Sequence, residues 1–350
     1  MNFKKTALAT AVGTTLAISG VAQADGHDVS LYGRINNVVK VDSIDLAGGG
    51  DADATNVSDI VSRIGVKASA PINDNLTAFG RYEFSVTSDS EGGNGKASTK
   101  NTSTGDGGIG DTRIAEVGVK GDFGSVKIGN MWSTFYNVVG THLDPTVTLG
   151  AVLYSSIADL PYRVSNAIQY SGDFGPVSLS AEMRIADEDN PDDIPGDQTE
   201  KIGGSDGTAI GASFNITDNI LVAATIDQSD AVAGGEDVDR TGLAAKWMLG
   251  DLWLSAGWAE NDTDGGDTLT QTQLHAGYGF GGGLSGFVGY GMVESDASGT
   301  DDATAITMNV TKKFGNSGFR VYYEGIVTSD SDDLLGQEQT THIAGARIDF

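Results

Sequence analysis

One pattern recurs from Val29 to Phe350: runs of about ten residues, the length of a membrane-crossing strand, in which apolar and polar side chains alternate. "VSLYGRINNVVKV" puts Val29, Leu31, Gly33, Ile35, Val39 and Val41 on one parity and Ser30, Tyr32, Arg34, Asn36 and Lys40 on the other; Asn37 and Val38 fall out of pattern. "LTAFGRYEFSV" sets Leu76, Ala78, Tyr82, Phe84 and Val86 against Thr77, Arg81, Glu83 and Ser85, with Phe79 as the exception. "VSLSAEMRI" repeats the pattern, and the closing "THIAGARIDF" sets Ala344, Ala346, Ile348 and Phe350 against Gly345, Arg347 and Asp349. Successive strand side chains point to opposite faces, so the chain commits to β-sheet with one apolar and one polar face.

Parity does not say which face is wet, because a soluble barrel turns its apolar side inward and a membrane barrel turns it outward. Connection lengths decide. Short links at 71–75, 121–124, 172–176, 217–219, 250–251, 281–283 and 315–318 alternate with long polar ones near 42–60, 87–111, 130–162, 186–206, 228–239, 260–270, 294–302 and 328–340. Short turns at one end and long loops at the other describe an outer-membrane barrel, with turns in the periplasm and loops outside. Seven turns and eight loops predict an all-β, antiparallel transmembrane barrel of about sixteen strands, closed so that no edge lies open in lipid. Trp247, Trp258, Tyr278, Phe280, Phe314, Phe319 and Phe350 lie near expected strand ends, where aromatic girdles meet the membrane interfaces.

Composition agrees. Apolar residues make up 39 %, with no run approaching the roughly 20 that a membrane helix needs. Gly is abundant at 50 and Pro scarce at 6, which suits strands and tight turns. The first residues, "MNFKKTALATAVGTTLAISGVAQA", read as an export signal: Lys4 and Lys5, an apolar stretch, then Ala22-Gln23-Ala24 as the cleavage site. Residues 1–24 are therefore expected to be removed, leaving 25–350 as a single barrel domain. Loss of the two lysines takes the net charge from −27 to −29. The chain has no Cys, so no disulfide enters the argument.

These residues resemble a family, the trimeric general porins of Gram-negative outer membranes. "LYGRI", "SRIGVKAS" at 62–69, "VGVKGDFGSVKIGN" at 117–130, "RVSNAIQYSGDFG" at 163–175 and the terminal Phe350 match it in order. The resemblance implies a homotrimer in the outer membrane, a passive diffusion channel for small hydrophilic solutes and ions, and a terminal strand read by the barrel-assembly machinery through Phe350. It also implies a third loop folded into the lumen, carrying carboxylates that face basic residues on the opposite wall. The matching loop, 131–162, is less charged and more apolar than its sister loops, as a loop packed inside a lumen needs to be. Asp144 is the first candidate for the constriction carboxylate and Asp159 the second. The expected basic row is Arg34, Arg63, Arg81 and Arg113. The first three lie on the polar parity. Arg113 shares parity with Ala115, Val117 and Val119, so a bulge or a subunit contact has to intervene if it is to face the lumen. At Asn130, where the family often carries Arg, the chain departs from the pattern.

Other functions find less support. An enzyme needs a nucleophile, a base and an orienting group together, and the four histidines, His27, His142, His275 and His342, sit in no recognisable motif. The Gly-Asp runs lack the ligand spacing of a calcium loop, so no cofactor is expected beyond weak Mg²⁺ or Ca²⁺ binding at acidic loops. Nothing points to nucleic acid. A barrel acting mainly as adhesin or phage receptor is the alternative to a pore. The loop acids, among them Asp187, Glu188, Asp189, Asp192 and Asp193, then Glu236, Asp237 and Asp239, then Asp330, Asp332 and Asp333, would repel anions at the mouth and bridge to lipopolysaccharide through divalent cations.

Overall fold

The computed structural model describes residues 27–46, 50–87, 108–147, 154, 160–185, 206–230, 236–297, 302–329 and 337–350. The expected signal segment, Asp159 and most of the acidic loop residues lie outside them.

Seventeen strands form one antiparallel sheet closed on itself. They are β1 Asp28–Leu46, β2 Asp51–Asp59, β3 Arg63–Asn73, β4 Leu76–Thr87, β5 Gly108–Gly121, β6 Gly124–Trp132, β7 Arg163–Phe174, β8 Val177–Arg184 and β9 Gly207–Thr217. The second half adds β10 Ile220–Ser229, β11 Val238–Leu249, β12 Leu252–Thr263, β13 Thr268–Gly281, β14 Leu284–Ser295, β15 Ala303–Lys313, β16 Phe319–Ser329 and β17 Gln337–Asp349. The wall has sixteen positions, because β2 and β3 pair in series with the two halves of β1. The interruption falls at residues 60–62, where Val61 has φ 57° and Asn36 bridges the gap: its backbone N–H donates to Ser62 Oγ at 2.8 Å and its side-chain amide to the Ile60 carbonyl at 2.8 Å.

Closure is made by β1 and β17, in register from Arg34 opposite Asp349 to Leu46 opposite Gln337. Backbone bonds between Gly33 and Phe350, 2.8 and 3.1 Å, finish the seam. The Phe350 ring lies over Gly33, where an added Cβ would come within 2.6 Å of it, so the terminal aromatic needs a glycine beneath it. The parity of the last strand is as expected: Thr341, Ile343, Gly345 and Arg347 point inward, and Ala344, Ala346, Ile348 and Phe350 outward. The outer face is broadly apolar, with Ile35, Val66, Val117, Ile210, Val288 and Ile306 exposed, a surface that suits lipid and not water. Trp247, Tyr278, Phe280, Phe314, Phe319 and Phe350 are exposed on it, and Phe314 pairs with Phe319 at 5.5 Å between ring centroids.

Two expected long links are mostly strand. Residues 42–46 form the end of β1 and 51–59 all of β2, and the link near 260–270 shrinks to 264–267, because the ladders of β1–β2 and β12–β13 continue past the apolar band. A polar extension of a strand cannot be told from a loop by alternation alone. The exceptions to parity also have reasons. Val38 points inward and is 2 % exposed, part of the buried apolar cluster that joins the wall to the third loop.

Candidate functional site

The largest buried apolar cluster lies inside the barrel, between the third loop and the wall. The loop leaves β6 after Trp132 and returns to β7 at Arg163; its neck is closed by the Ser133 N–H to the Tyr162 carbonyl, 3.0 Å, and by the Ser133 hydroxyl to the Pro161 carbonyl, 2.8 Å. A π-helical turn, Tyr136–Gly140, runs into the helical turn Thr141–Leu143. Phe135, Val138, Val139 and Leu143 fall at helical spacing and are buried together. Opposite them the wall carries small residues. Ala209, Ala223, Ala244 and Ala259 are buried, and an added Cβ at Gly211, Gly242 or Gly257 would strike Val138, Phe135 or Leu143 respectively. The inner faces of β9 to β12 thus form a shallow seat shaped for one side of the loop.

Polar bonds fix both ends of the seated segment. The Thr134 N–H donates to Glu182 at 2.7 Å, and Glu182 also accepts from Gln169 at 2.9 Å. Further along, the Val147 N–H donates to Glu324 at 2.5 Å. Beside Glu182, Arg184 makes two 2.9 Å bonds to the fully buried Asp227, which Arg240 also approaches at 3.4 Å. The neighbourhood of the seat is therefore an ionic network as well as an apolar one.

Across the lumen the wall is basic. Arg34, Arg320 and Arg347 share Asp349, at 2.9, 2.7 and 2.8 Å. Arg113 and Arg63 share Glu83, at 2.9 and 3.5 Å, and Tyr32 donates to the same carboxylate at 2.9 Å. Arg81 and Lys127 share Glu116, each at 2.9 Å. Seven bases meet three carboxylates, and Arg163 adds an eighth base, 5.6 Å over the Trp132 ring. Arg34, Arg63 and Arg81 occupy the inward parity on which the sequence places them. Arg113 reaches the same side through a bulge: the β4–β5 register shifts so that Glu83 faces Ile114 and Phe84 faces Thr112, and Arg113 is the extra residue.

Asp144 lies on the loop, half-buried, and accepts hydrogen bonds from Thr146 at 3.0 Å and from the Tyr136 and Tyr162 hydroxyls at 3.3 Å. Among the described residues no ion pair joins it to the arginines; the carboxylates in contact with them are Glu83, Glu116 and Asp349, which belong to the basic wall itself. Burial raises the Asp144 carboxyl above its usual range and Glu324 adds to that, while the three hydroxyls pull the other way. Glu83, Glu116, Lys127, Arg320 and Arg347 were not among the expected site residues. Their signal was present, since each sits on the inward parity of its strand, but alternation does not rank one inward charge above another.

A profile of the Gram-negative porin family matches residues 7–334. The chain is 28 % identical over 334 residues to a monosaccharide porin of Halomonas, covering 86 % of this chain and 84 % of that one. It is 24 % identical to outer membrane porin F of Escherichia coli, covering 92 % of each. Among solved structures, the anion-selective porin from Comamonas acidovorans superposes with a TM-score of 0.73 at 19 % identity, over 93 % of this chain and all of that one. Closed barrel, inward third loop and basic facing wall therefore coincide with a match along nearly the whole sequence, and the chain belongs to the Gram-negative porins of the outer membrane.

Proposed function

We propose that the chain is a passive diffusion pore for small hydrophilic solutes and ions, limited by size and charge where the third loop faces the arginine wall. The observation that carries this is the pairing of an apolar seat that holds the loop in the lumen with an opposite wall on which seven bases share three carboxylates. Arg34, Arg63, Arg81 and Arg113 would form the basic side of the constriction and Asp144, with Asp159, the acidic side. No covalent step or cofactor enters such a mechanism, and divalent cations would bind only weakly at the acidic loops. In a planar bilayer the protein should give stepwise, ohmic conductance, and folded protein without channels would remove the reading. An adhesin or phage receptor would instead lose cell or phage binding when its external loops are deleted.

Charge preference should depend on salt. Mouth acids act over about a Debye length, roughly 10 Å at 0.1 M and 3 Å at 1 M, whereas the wall bases meet the permeating ion directly. We expect weak cation preference in dilute KCl that fades to neutral, or to slight anion preference, in concentrated KCl; a reversal potential independent of salt would exclude this balance. Because its folded pKa is raised, Asp144 loses its charge as pH falls through a window above the ordinary carboxylate range of about 4. Its ionised form is the costly one, so docking of the loop gains stability as pH falls through that window, and selectivity moves toward anions. Asp144→Asn should show anion-shifted potentials already at neutral pH and a flat response across the window.

The reading includes a homotrimer. Outward-facing Ala68, Gly80 and Ala115 floor a groove of about 1060 Å³ rimmed by Val66, Tyr82, Val117 and Ile168, which suits close packing of a neighbouring wall. Native mass in mild detergent should correspond to three chains, and a monomer with intact channels would refute the trimer. Lipopolysaccharide and, through Phe350, the barrel-assembly machinery would be its membrane partners.

A further inference from the structure

Beneath the third loop, toward the end of the barrel that carries the short turns, two contiguous lumenal cavities of about 600 and 610 Å³ share Lys120, Ser125, Lys127 and Asn137. Their chemistry differs from that of the constriction. Lys67 and Lys120 are exposed to the cavity, and among the described residues their ammonium groups face rings: that of Lys67 lies 4.6 Å from the Tyr32 centroid and that of Lys120 6.0 Å from that of Phe79. Phe79, the residue that breaks the alternation of its strand, points inward here, and Trp132 lines the same space. Around the rings stand hydroxyls: Ser30 and Ser69 on one side, Ser171, Ser178, Ser180 and Ser213 on the other. The acids that border the space are mostly engaged. Glu116 is held by Arg81 and Lys127, Asp173 accepts from Ser178 at 2.5 Å, and Asp28 stands at the margin. Burial, and after it the Lys246 charge, hold the His142 imidazole, above, below its usual range.

We propose that this space is a binding subsite for small hydroxylated anions, sugar acids or sugar phosphates, that pause there during passage. The lysines would take the oxyanion, the serines the solute hydroxyls, and the Phe79 ring the apolar face of a sugar, whereas Trp132 is already stacked on Tyr136 and only borders the space. A lining of hydrated lysines alone would attract any anion equally; the conjunction of free ammonium groups, hydroxyls and ring faces selects a class. The proposal rests on the chain being an open pore.

The test is single-channel recording of the full protein in dilute KCl with glucuronate, glucose or inorganic phosphate added. Glucuronate should interrupt the current in resolved events, and glucose at the same concentration should not. Lys67→Gln with Lys120→Gln should shorten the interruptions roughly three- to tenfold, the effect of losing two hydrated ion pairs, and concentrated salt should do the same to the wild type. Phe79→Ala should shorten glucuronate events and leave those of phosphate as they were. Stepwise openings in each variant establish that it has folded. Interruptions that glucose matches, or that survive loss of both lysines, overturn the subsite, whereas absence of channels altogether overturns the pore.

Discussion

Leu143→Asp should raise single-channel conductance and admit larger solutes, with the barrel still folded. Leu143 is 1 % exposed, packed over Gly257 in the seat on the inner wall. Truncating a buried Leu costs about 2–5 kcal/mol, and an ionised carboxylate in its place adds a desolvation penalty, because among the described residues the cluster around it is apolar. The polar bonds at Thr134 and Val147 contribute about 1–3 kcal/mol each where the acceptor is charged, so the loss is of the size needed to free the segment between them. The wall does not depend on that segment, since its strands are joined by continuous ladders and closed at β1 and β17. Conductance steps and exclusion limits in liposome swelling are the measurements. Unchanged steps and limits in folded Leu143→Asp protein would show that the loop does not set the bore.

Asp227→Leu should produce the largest loss of stability of any single lumenal charge, about 3–5 kcal/mol. Asp227 is fully buried and is the carboxylate that Arg184 and Arg240 share, the two also meeting at the Ser229 hydroxyl, so its removal takes the shared negative charge from between two guanidinium groups in a space that water barely reaches. Glu182, 3.7 Å from Arg184, takes up part of that charge, and the loop bond at Thr134 is drawn into the rearrangement. Arg320→Gln is the contrast. Its pair with Asp349 is partly exposed and Asp349 keeps Arg34 and Arg347, so the change should stay within about 1 kcal/mol. Heating folded protein in detergent and following loss of the compact electrophoretic form ranks the two. Equal melting temperatures for Asp227→Leu and wild type would mean that the buried network contributes nothing net.

The sequence by itself determined the barrel and which side chains share a face, because strand parity is local and each side chain's face follows from its neighbour's, and the alternation of short and long connections decided that the apolar face meets lipid. On that basis Arg34, Arg63 and Arg81 fall on the polar parity and Phe350 on the outward one. The apolar bias of 131–162 also marked a loop whose described residues pack inward. Tertiary structure decided what depends on register between distant segments. The bulge that turns Arg113 inward exists only in the pairing of β4 with β5. The glycines that seat the loop, Gly211, Gly242 and Gly257, look like ordinary strand glycines until Val138, Phe135 and Leu143 lie over them. The carboxylates that meet the arginines, Glu83, Glu116 and Asp349, are chosen by cross-strand neighbours such as Arg34 opposite Asp349, and a chain read residue by residue carries alternation but not the register that sets one residue opposite another.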